Sequence, residues 1–441
     1  MEPIIWVILI FSGVLLGILA GGPIAFVLGG LAVLFGYFGM GERVFPMFVN
    51  RMWQTSVNEL LAAIPMFIFM AAILDRSGIA DGLFKALQYA LGRFNGAVAL
   101  TVVILSTVFA AVTGVVGASV ISMSLLALPA MLHYGYDKRL ATGVVASGGT
   151  LGIIIPPSIM LVIMADQSGE SVGRLFAGSL LPGLLLAALY FSYVLLRCWM
   201  QPSVAPAFPE EERSQYTGSQ IFMMVLFNLV PPVLLILGVL GSIWHGIATP
   251  TEASAIGAFL SLVLMVLYGR FSFEALRESV WSATRTSCMV IMVMVGATIF
   301  TQVFLGLGGR SVVTNLIMAG GIFDRWGMFI IMMLIIFILG FLLDWVGIIL
   351  ITFPIFLPLA AELGFDPVWL VVMIAVNLQA SFLTPPVGYS LFYMRSTVPP
   401  GVTMVDIYKG VMPFLFLQLF TLVLLAVFPE IITWLPTLVG R

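Results

Sequence analysis

The chain has 441 residues, of which 61% are hydrophobic and only 9% are charged. Ordinary soluble domains carry roughly 25% charged residues, and a soluble surface cannot hide this much apolar area from water. The balance of 18 basic against 20 acidic residues provides no basic domain for nucleic acid. The composition therefore excludes a soluble protein and predicts an all-α polytopic membrane protein that lies in a lipid bilayer.

Cysteine and histidine are scarce. The two cysteines, Cys198 and Cys288, both lie in apolar runs, so no disulfide framework is expected. Two histidines leave little material for a zinc site. The first apolar run begins directly after Met1-Glu2-Pro3 without a basic segment. This start argues against a cleaved signal peptide and predicts a first span that stays in the protein.

Apolar runs of span length follow one another along the whole chain. A span needs about 20 residues, because each residue adds about 1.5 Å of helix. Two amphipathic stretches, 42–56 and 271–285, each precede a span; they predict either interfacial arm helices or ordinary loop helices. Ten runs are predicted to be spans: residues 4–20, 23–38, 57–74, 140–165, 176–200, 221–243, 253–269, 286–305, 367–394 and 411–430.

Two further apolar stretches, at about 97–132 and 328–361, do not fit a single span. Each has a glycine-marked break at its centre, at 113–119 and 344–347. Each arm has roughly 15 residues, or about 23 Å of helix, which is shorter than the bilayer core of about 30 Å. The pattern predicts two re-entrant helical hairpins; two tilted spans joined by a tight turn are the alternative.

The chain divides into two repeats that are related by an offset of 229 residues. A polar stretch, 201–220, cuts the chain nearly in half and is predicted to be a cytoplasmic linker between repeats 1–200 and 221–441. The pairs that share this offset are Pro129 with Pro358, Pro156-Pro157 with Pro385-Pro386, Gly135-Tyr136-Asp137 with Gly364-Phe365-Asp366, and Gly92 with Gly321.

The basic residues give the two repeats opposite orientations. With the N-terminus outside, twelve of the 18 Lys and Arg residues fall on the cytoplasmic side, as the positive-inside rule requires. The first hairpin then opens to the cytoplasm and the second opens outward. Inverted repeats with broken helices near the midplane are typical of secondary transporters.

Each hairpin is followed by a span that cannot be an unbroken helix. Adjacent prolines remove backbone donors, and unwound backbone is tolerated in a membrane only where it is buried or lines a wet cavity. Its carbonyl oxygens, together with hydroxyl and amide oxygens, suit a hard cation such as sodium. We expect two sodium sites, the first formed by Thr113, Gly114, Ser119, Ser147, Thr150 and Gly152 and the second by Asp344, Gly347, Asn377, Gln379 and Thr384.

Asp344 is the strongest single candidate, because it is the only acidic residue well inside an apolar run and such acids are usually functional. The alternative for the small and polar residues is tight helix packing. No Arg or Lys lies between Arg139 and Arg174, so helix N-termini and bound cations have to hold an anionic substrate. The candidate substrate-binding residues are Thr113, Ser119, Pro156, Pro157, Pro385, Pro386 and Gly388.

These motifs resemble the large membrane subunit of the tripartite ATP-independent periplasmic (TRAP) transporters, over nearly the whole chain. The segments that carry the resemblance are Ile64-Pro65-Met66-Phe67, Ala110 to Gly114, Met131 to Tyr136, Gly149-Thr150-Leu151-Gly152, Ile155 to Ile159, Leu175 to Gly178, Leu181 to Leu184, Thr249 to Ser254, Leu343-Asp344-Trp345, Pro354 to Pro358 and Thr384 to Gly388.

The resemblance implies sodium-driven import of an organic acid, such as a dicarboxylate, through the bacterial inner membrane by an elevator-type transport domain moving against a scaffold. It also implies a periplasmic substrate-binding protein and a separate small membrane subunit of about four helices. The family's sodium positions fall on the two proposed sites, about two ions in all. No organic cofactor is expected.

Three other functions are alternatives to this one. A stand-alone sodium- or proton-coupled carboxylate carrier would work without a binding protein. A channel would not need paired inverted hairpins. An intramembrane enzyme is disfavoured because the sequence has no H-E-x-x-H motif and no second buried Asp to pair with Asp344. The sequence also has no Walker A loop, so ATP is not expected to be the energy source. The chain is therefore not expected to be an enzyme.

Overall fold

The structure is a computed structural model that describes residues 2–113, 116–209, 215–319, 325–341 and 343–439. Within these residues the regular secondary structure consists of α-helices and short 3₁₀ turns, without strands. The helices of the first half are α1 (Pro3–Leu19), α2 (Ile24–Met40), α3 (Val44–Ser56), α4 (Ala63–Arg76), α5 (Ile79–Leu91), α6 (Ala97–Thr113), α7 (Val116–His133), α8 (Lys138–Thr150), α9 (Ile159–Ser168) and α10 (Val172–Met200).

The second half has the same kind of helical succession. Its described helices are α11 (Gly218–Trp244), α12 (Pro250–Leu267), α13 (Phe273–Gly306), α14 (Gly309–Ala319), α15 (Arg325–Leu339), α16 (Trp345–Glu362), α17 (Pro367–Leu383), α18 (Tyr389–Arg395), α19 (Met404–Val427) and α20 (Glu430–Thr433).

Most of these helices are apolar and long. Among the described residues, eight helical segments are long and apolar enough to cross a membrane, or nine if the bent pair Glu59–Arg76 and Ile79–Leu91 counts as one span. Shorter apolar helices, including α1, α9 and α17, fall within the other runs that the sequence predicts to be spans. The prediction of an all-helical, multi-pass membrane protein is confirmed.

The helix boundaries follow the 229-residue offset. Helices α7 and α16 have the same length and start and end 229 residues apart. Helices α8 and α17 also start 229 residues apart, each directly after an aspartate. Asp137 accepts the N–H of Arg139 at 2.9 Å, and Asp366 accepts the N–H of Trp369 at 2.8 Å. Each carboxylate satisfies a backbone donor that the helix start would otherwise leave unpaired.

The two predicted hairpins appear as the helix pairs α6–α7 and α15–α16. In the second pair α15 ends at Leu339 and α16 already starts at Trp345. Val346 and Gly347, which the sequence placed in the break, therefore lie in the first turn of α16. In the first pair, Gly117 and Ser119 are likewise helical, inside α7.

One predicted helix is not separate. The second amphipathic stretch, 271–285, was expected to form its own arm or loop helix before the span 286–305. The structure instead shows α13 running without interruption from Phe273 to Gly306. The first stretch does form a separate helix, α3, which is divided from α4 by the 3₁₀ turn Glu59–Ala62.

Helices α8 and α17 occupy the centre of the molecule. Every residue of α17 from Val368 to Leu383 is buried, and so is every residue of α8 from Leu140 to Thr150. Helix α8 also approaches α19 closely, because a Cβ on Gly143 would lie 2.2 Å from the carbonyl oxygen of Gly410. The polar groups of α8 and α17 consequently face protein rather than lipid tails.

Candidate functional site

The first broken span has an unwound centre. Helix α8 ends at Thr150, a 3₁₀ turn covers Leu151–Ile153, and α9 starts at Ile159. The hydroxyl of Ser158 donates to the carbonyl oxygen of Ile153 at 2.6 Å. This bond satisfies one of the carbonyls that the helix end leaves without an intrahelical partner.

The second broken span is built in a similar way. Helix α17 ends at Leu383, α18 starts at Tyr389, and the hydroxyl of Ser390 donates to the carbonyl oxygen of Phe382 at 2.6 Å. The N–H of Gly388 donates to the carbonyl oxygen of Thr384 at 3.0 Å. A Cβ on Gly388 would lie 2.4 Å from the carbonyl oxygen of Phe382. The tight return of the chain therefore requires glycine at this position.

A buried hydrogen bond joins the two broken spans. The amide of Gln379 on α17 donates to the hydroxyl oxygen of Thr150 at 3.1 Å, and these residues are 229 apart in sequence. Thr150 in turn donates to the carbonyl oxygen of Ser147 at 2.8 Å. The Gln379 carbonyl oxygen and the Ser147 hydroxyl are buried without a hydrogen-bond partner among the described residues. Two oxygens are thus available for a cation or for water.

Glycines at the end of α8 allow the first helix pair to approach. A Cβ on Gly148 would lie 2.5 Å from the hydroxyl oxygen of Ser106 on α6, and one on Gly149 would lie 2.4 Å from the Cγ2 of Val120 on α7. Their role in the structure is close packing against both helices. This packing holds the α6–α7 pair against the unwound segment.

A small cavity of about 70 Å³ lies where the two helix pairs meet the broken spans. Its wall contains the starts of α7 and α16, a stripe of α13 and the tyrosines of α18. The lining residues are Val116, Gly117, Ile159, Thr286, Met289, Val290, Val293, Asp344, Trp345, Phe382, Tyr389 and Tyr393.

Three helices of substantial length begin at this cavity. Val116, Ile159 and Trp345 are the first residues of α7, α9 and α16, and all three line it. Helix N-termini carry a partial positive charge and unpaired N–H groups, so they favour an anion. The described lining includes no Lys or Arg. In this lining, attraction for an anion can therefore come only from backbone groups among the described residues.

Asp344 is the one charged side chain among the described residues that line the cavity. Its carboxylate caps α16 by accepting the N–H of Val346 at 3.3 Å. The phenols of Tyr389 and Tyr393 are close enough to interact electrostatically with it. An acid and two hydroxyls thus share one small space with the helix N-termini.

Helix α13 forms the opposite wall. Thr286, Val290 and Val293 recur at spacings of four and three residues, and therefore share one face of the helix. The cavity lies between this face and the ends of the two helix pairs.

The predicted first sodium site is only partly assembled in the described part of the chain. Gly114 and the side chain of Thr113 lie outside the described residues. Ser147 and Thr150 meet each other and Gln379, and Gly152 is buried in the adjacent 3₁₀ turn. Ser119 is buried inside α7.

The five residues of the predicted second site each have different surroundings. Asp344 lines the cavity, whereas a Cβ on Gly347 would point at Ile24 and Leu28 of α2. The amide of Asn377 donates to the carbonyl oxygen of Met333 at 2.7 Å. The predicted Thr384 donates to the carbonyl oxygen of Ala380 within its own turn, and Gln379 points to Thr150.

The predicted substrate residues flank the cavity rather than line it. Pro156 and Pro157 are buried just before Ile159, and Pro385, Pro386 and Gly388 lie just before Tyr389. Their peptide bonds Pro156-Pro157 and Pro385-Pro386 are both cis. Ile159 and Tyr389, which start the helices after the two double prolines, do line the cavity.

Sequence reasoning missed Gly117, Thr286, Tyr389 and Tyr393. The tyrosines carry a readable signal, since two phenols four residues apart on a helix that follows a break share one face. The contribution of α13 had no such signal, because Thr286 to Val293 reads as an ordinary apolar span.

Comparison with known proteins decides the family. The family model described as "Tripartite ATP-independent periplasmic transporter, DctM component" matches residues 11–431. The chain belongs to this family. As a DctM-type chain with many apolar helices, it is a multi-pass protein of the bacterial inner membrane.

Individual relatives agree. The chain is 30% identical over 451 residues to the "C4-dicarboxylate TRAP transporter large permease protein DctM" of Rhodobacter capsulatus, covering 98% of this chain and 99% of the relative. It is 31% identical over 428 residues to the "Isethionate TRAP transporter permease protein DctMQ" of Oleidesulfovibrio alaskensis, covering 96% of this chain and 65% of that protein.

A solved transporter shares the fold. The Alcanivorax borkumensis YdaH transporter, described as having "an unusual topology", superposes with a TM-score of 0.62 over 94% of this chain and 98% of that one, at 15% sequence identity. At this identity the likeness concerns the architecture alone.

Proposed function

We propose that this DctM-type chain imports an organic acid by sodium-coupled secondary transport of the elevator type. The observation that carries the proposal is the cavity at which α7, α9 and α16 all begin, without a Lys or Arg in its described lining. Such a cavity can hold an anion through backbone N–H groups and release it again without breaking a buried guanidinium pair.

Sodium has a specific electrostatic task in this proposal. An organic anion and the Asp344 carboxylate repel each other in a cavity of low dielectric, and a bound cation offsets that repulsion. The groups available to a cation are oxygens: the Asp344 carboxylate, the unpartnered Gln379 carbonyl and the Ser147 hydroxyl. Oxygen-only donors suit sodium and do not favour a soft transition metal.

The substrate class follows from the site and from the relatives. The Rhodobacter relative is named for C4-dicarboxylates and the Oleidesulfovibrio relative for isethionate. The names of these relatives therefore cover small organic anions that differ in their acid group. Backbone N–H groups and the phenols of Tyr389 and Tyr393 recognise anionic oxygens without selecting one acid. We place the substrate among small carboxylic acids, including dicarboxylates.

Two partners complete the proposed system. The family description is tripartite and periplasmic, which supports a periplasmic binding protein that delivers the acid. This chain spans 65% of the relative named DctMQ, which is the share expected if that relative carries a second membrane segment on the same chain. We propose that a separate small membrane subunit fills this role here.

The elevator motion is proposed from the position of the cavity. The transport domain would contain α6–α9 and α15–α18, while α13 and the neighbouring α2 and α4 would stay fixed. Substrate bound between the helix-pair ends and α13 would then cross the membrane as the first unit moves along the second.

Uptake into proteoliposomes tests the function. The chain would be reconstituted with its small subunit, and labelled acids offered with and without an inward sodium gradient and the binding protein. Uptake that requires both supports the proposal. Sodium-driven uptake without the binding protein indicates a stand-alone carrier instead. Uptake that is the same with and without the sodium gradient refutes sodium coupling.

A further inference from the structure

A second cavity, of about 310 Å³, lies at the ends of α8, α10 and α19 and shares no described lining residue with the first. We call it the basic pocket. Arg139 is the second residue of α8, Arg197 lies in the last turn of α10, and Lys409 lies near the start of α19. The lining residues are Asp137, Arg139, Leu140, Tyr193, Arg197, Val204, Lys409, Gly410, Pro413 and Phe414.

The three cations of the basic pocket are not neutralised by ion pairs. In the described part of the chain, the ion pairs are Arg76–Glu278 and Arg174–Glu170, which involve none of them. Asp137 lines the pocket as well, but its Oδ1 already accepts the N–H groups of Arg139 and Leu140 at 2.9 and 3.2 Å. Among the described residues that line the pocket, three positive side chains stand against one carboxylate, which is a net positive charge.

A second acid lies nearby and does not remove this excess. Asp406 interacts electrostatically with Lys138 and Arg139. The hydroxyl and the N–H of Thr403 donate to the Asp406 carboxylate at 2.7 and 3.0 Å, so this carboxylate is engaged in the cap of α19. Lys138 points away, to the carbonyl oxygen of Gly401 at 2.7 Å.

The pocket also has an apolar wall next to lipid-facing surface. The rings of Tyr193 and Phe414 meet edge to face at 5.1 Å between centroids. Beside the pocket, α10 exposes Leu196 and Trp199, and α19 exposes Phe416. In a membrane protein these exposed apolar side chains face acyl chains, and a tryptophan at such a position is typical of the membrane–water boundary.

We propose that the basic pocket binds the headgroup phosphate of an anionic phospholipid. Arg139, Arg197 and Lys409 contact the phosphate oxygens, and the acyl chains run over the exposed apolar surfaces of α10 and α19. Guanidinium groups match phosphate oxygens through paired N–H donors, and basic pockets between membrane helices recognise anionic headgroups in this way. The apolar wall favours a lipid over free phosphate.

The test compares lipids on the purified full-length chain in detergent micelles. Native mass spectrometry would count bound phosphatidylglycerol, and thermal unfolding would be followed with phosphatidylglycerol, phosphatidylcholine or inorganic phosphate. We expect retention of phosphatidylglycerol and a higher Tm with it than with phosphatidylcholine. Arg197→Gln/Lys409→Gln should weaken phosphatidylglycerol binding about tenfold or more.

Two further variants keep the experiment decisive. Arg277→Gln removes an exposed cation of α13 that lies outside the basic pocket, and should bind phosphatidylglycerol like the wild type. Arg197→Lys/Lys409→Arg keeps both charges and should retain most of the binding even if the glutamine variant unfolds. Equal phosphatidylglycerol binding by the glutamine variant overturns the proposal. A Tm rise with inorganic phosphate that equals the lipid effect assigns the pocket to a soluble anion instead.

Discussion

At the scale of single residues, Asp344 performs two tasks that substitutions can separate. Its carboxylate caps α16, and it is the one charge in the described lining of the cavity. Asparagine retains an acceptor for the cap and loses the charge. We expect Asp344→Asn to keep the Tm of the wild type while sodium-dependent uptake falls by about tenfold or more, since each tenfold loss of affinity needs only about 1.4 kcal/mol.

Asp344→Ala provides the matched comparison. It removes the cap as well as the charge, and should lower the free energy of unfolding by a further ~1 kcal/mol. The two variants would be compared by thermal unfolding and by uptake at several sodium concentrations. Normal sodium dependence in Asp344→Asn would show that the carboxylate has only its structural role.

Gly117 marks a contact at the cavity that admits no side chain. A Cβ there would lie 2.9 Å from the Cζ of Tyr393. Gly117→Ala should displace the tyrosine ring and reduce uptake severalfold, because overpacking of this kind costs about 1–3 kcal/mol. Uptake kinetics would measure the effect.

The control for Gly117 is Gly238→Ala on α11, where a Cβ meets nothing within 4 Å. This substitution places the same methyl group in a membrane helix without a clash, and helix propensity alone favours it. If both alanine variants transport like the wild type, the contact with Tyr393 has no part in transport.

Asp344 and Gly347 show how far single site residues can be predicted from the sequence. Asp344 was found from the sequence because a carboxylate inside an apolar run is costly. Gly347 was placed beside it by proximity in sequence, yet it points at α2, because α16 has already begun and its first turn rotates successive residues by about 100°. The residue at which α16 begins therefore determines which neighbouring residues face the same site. The position of that residue cannot be predicted from the sequence pattern.

At the scale of elements, the bond between Thr150 and Gln379 connects the two broken spans. Both residues are fully buried, and the unbonded amide oxygen of Gln379 is available to a cation. In the proposed coupling, an ion that orders one segment would bias the other through this bond. We expect Thr150→Val and Gln379→Leu to show a coupling energy of about 1 kcal/mol in unfolding, with a lower Hill coefficient for sodium in either variant.

Thr352→Val is the matched control for this cycle. The Thr352 hydroxyl is buried and donates only to Ile348 of its own helix, at 2.7 Å. Its effect on unfolding should therefore add to that of Gln379→Leu without coupling. A Thr150–Gln379 coupling no larger than this control value would mean that the bond does not link the segments.

The elements themselves were largely predictable, and the exceptions have physical causes. The broken spans that contain α8 and α17 were located by their apolar runs and double prolines, which are local signals. Helix α13 was divided wrongly at residue 285, because an amphipathic stretch followed by an apolar one looks like two helices although no helix-breaking residue separates them. The bond between Thr150 and Gln379 was not predictable, since it depends on how two distant segments pack.

At the scale of the whole molecule, the proposed sodium coupling determines the net charge that crosses the membrane in each transport cycle. Two sodium ions and one monoanion carry one net positive charge inward, and each charge moved through 100 mV is worth about 2.3 kcal/mol. With a tenfold sodium gradient, about 5 kcal/mol remains for accumulation, whereas one sodium would leave only about 1.4 kcal/mol. Two sodium ions per substrate are therefore the smallest number that supports strong accumulation of a monoanion.

Membrane potential tests this charge balance. An inside-negative potential, set with valinomycin and potassium, should raise the accumulation of a monoanionic substrate and leave that of a dianion nearly unchanged. Uptake of labelled acid at fixed sodium gradient measures both. Accumulation of a monoanion that does not respond to potential would exclude two sodium ions per substrate.

The elevator proposal concerns the relative movement of two sets of helices, and one contact reports on it. The amide of Asn58, between α3 and α4, donates to the carboxylate of Asp166 on α9 at 2.6 Å. In the proposed division Asn58 belongs to the fixed part and Asp166 to the moving part, so this bond has to break in each cycle. We expect a short thiol-specific cross-linker on Asn58→Cys/Asp166→Cys, in a chain with Cys198 and Cys288 replaced by serine, to abolish uptake.

Two controls distinguish loss of uptake caused by the restrained movement from loss caused by damage to the protein. Asp166→Cys alone, treated with the same reagent, retains freedom of movement and should keep most of its uptake. A cleavable cross-linker should allow a reducing agent to restore uptake in the double variant, because the helices are released unharmed. Full uptake by a completely cross-linked protein would require α9 to keep its place beside Asn58 throughout transport, and the moving unit would then have to be defined without α9.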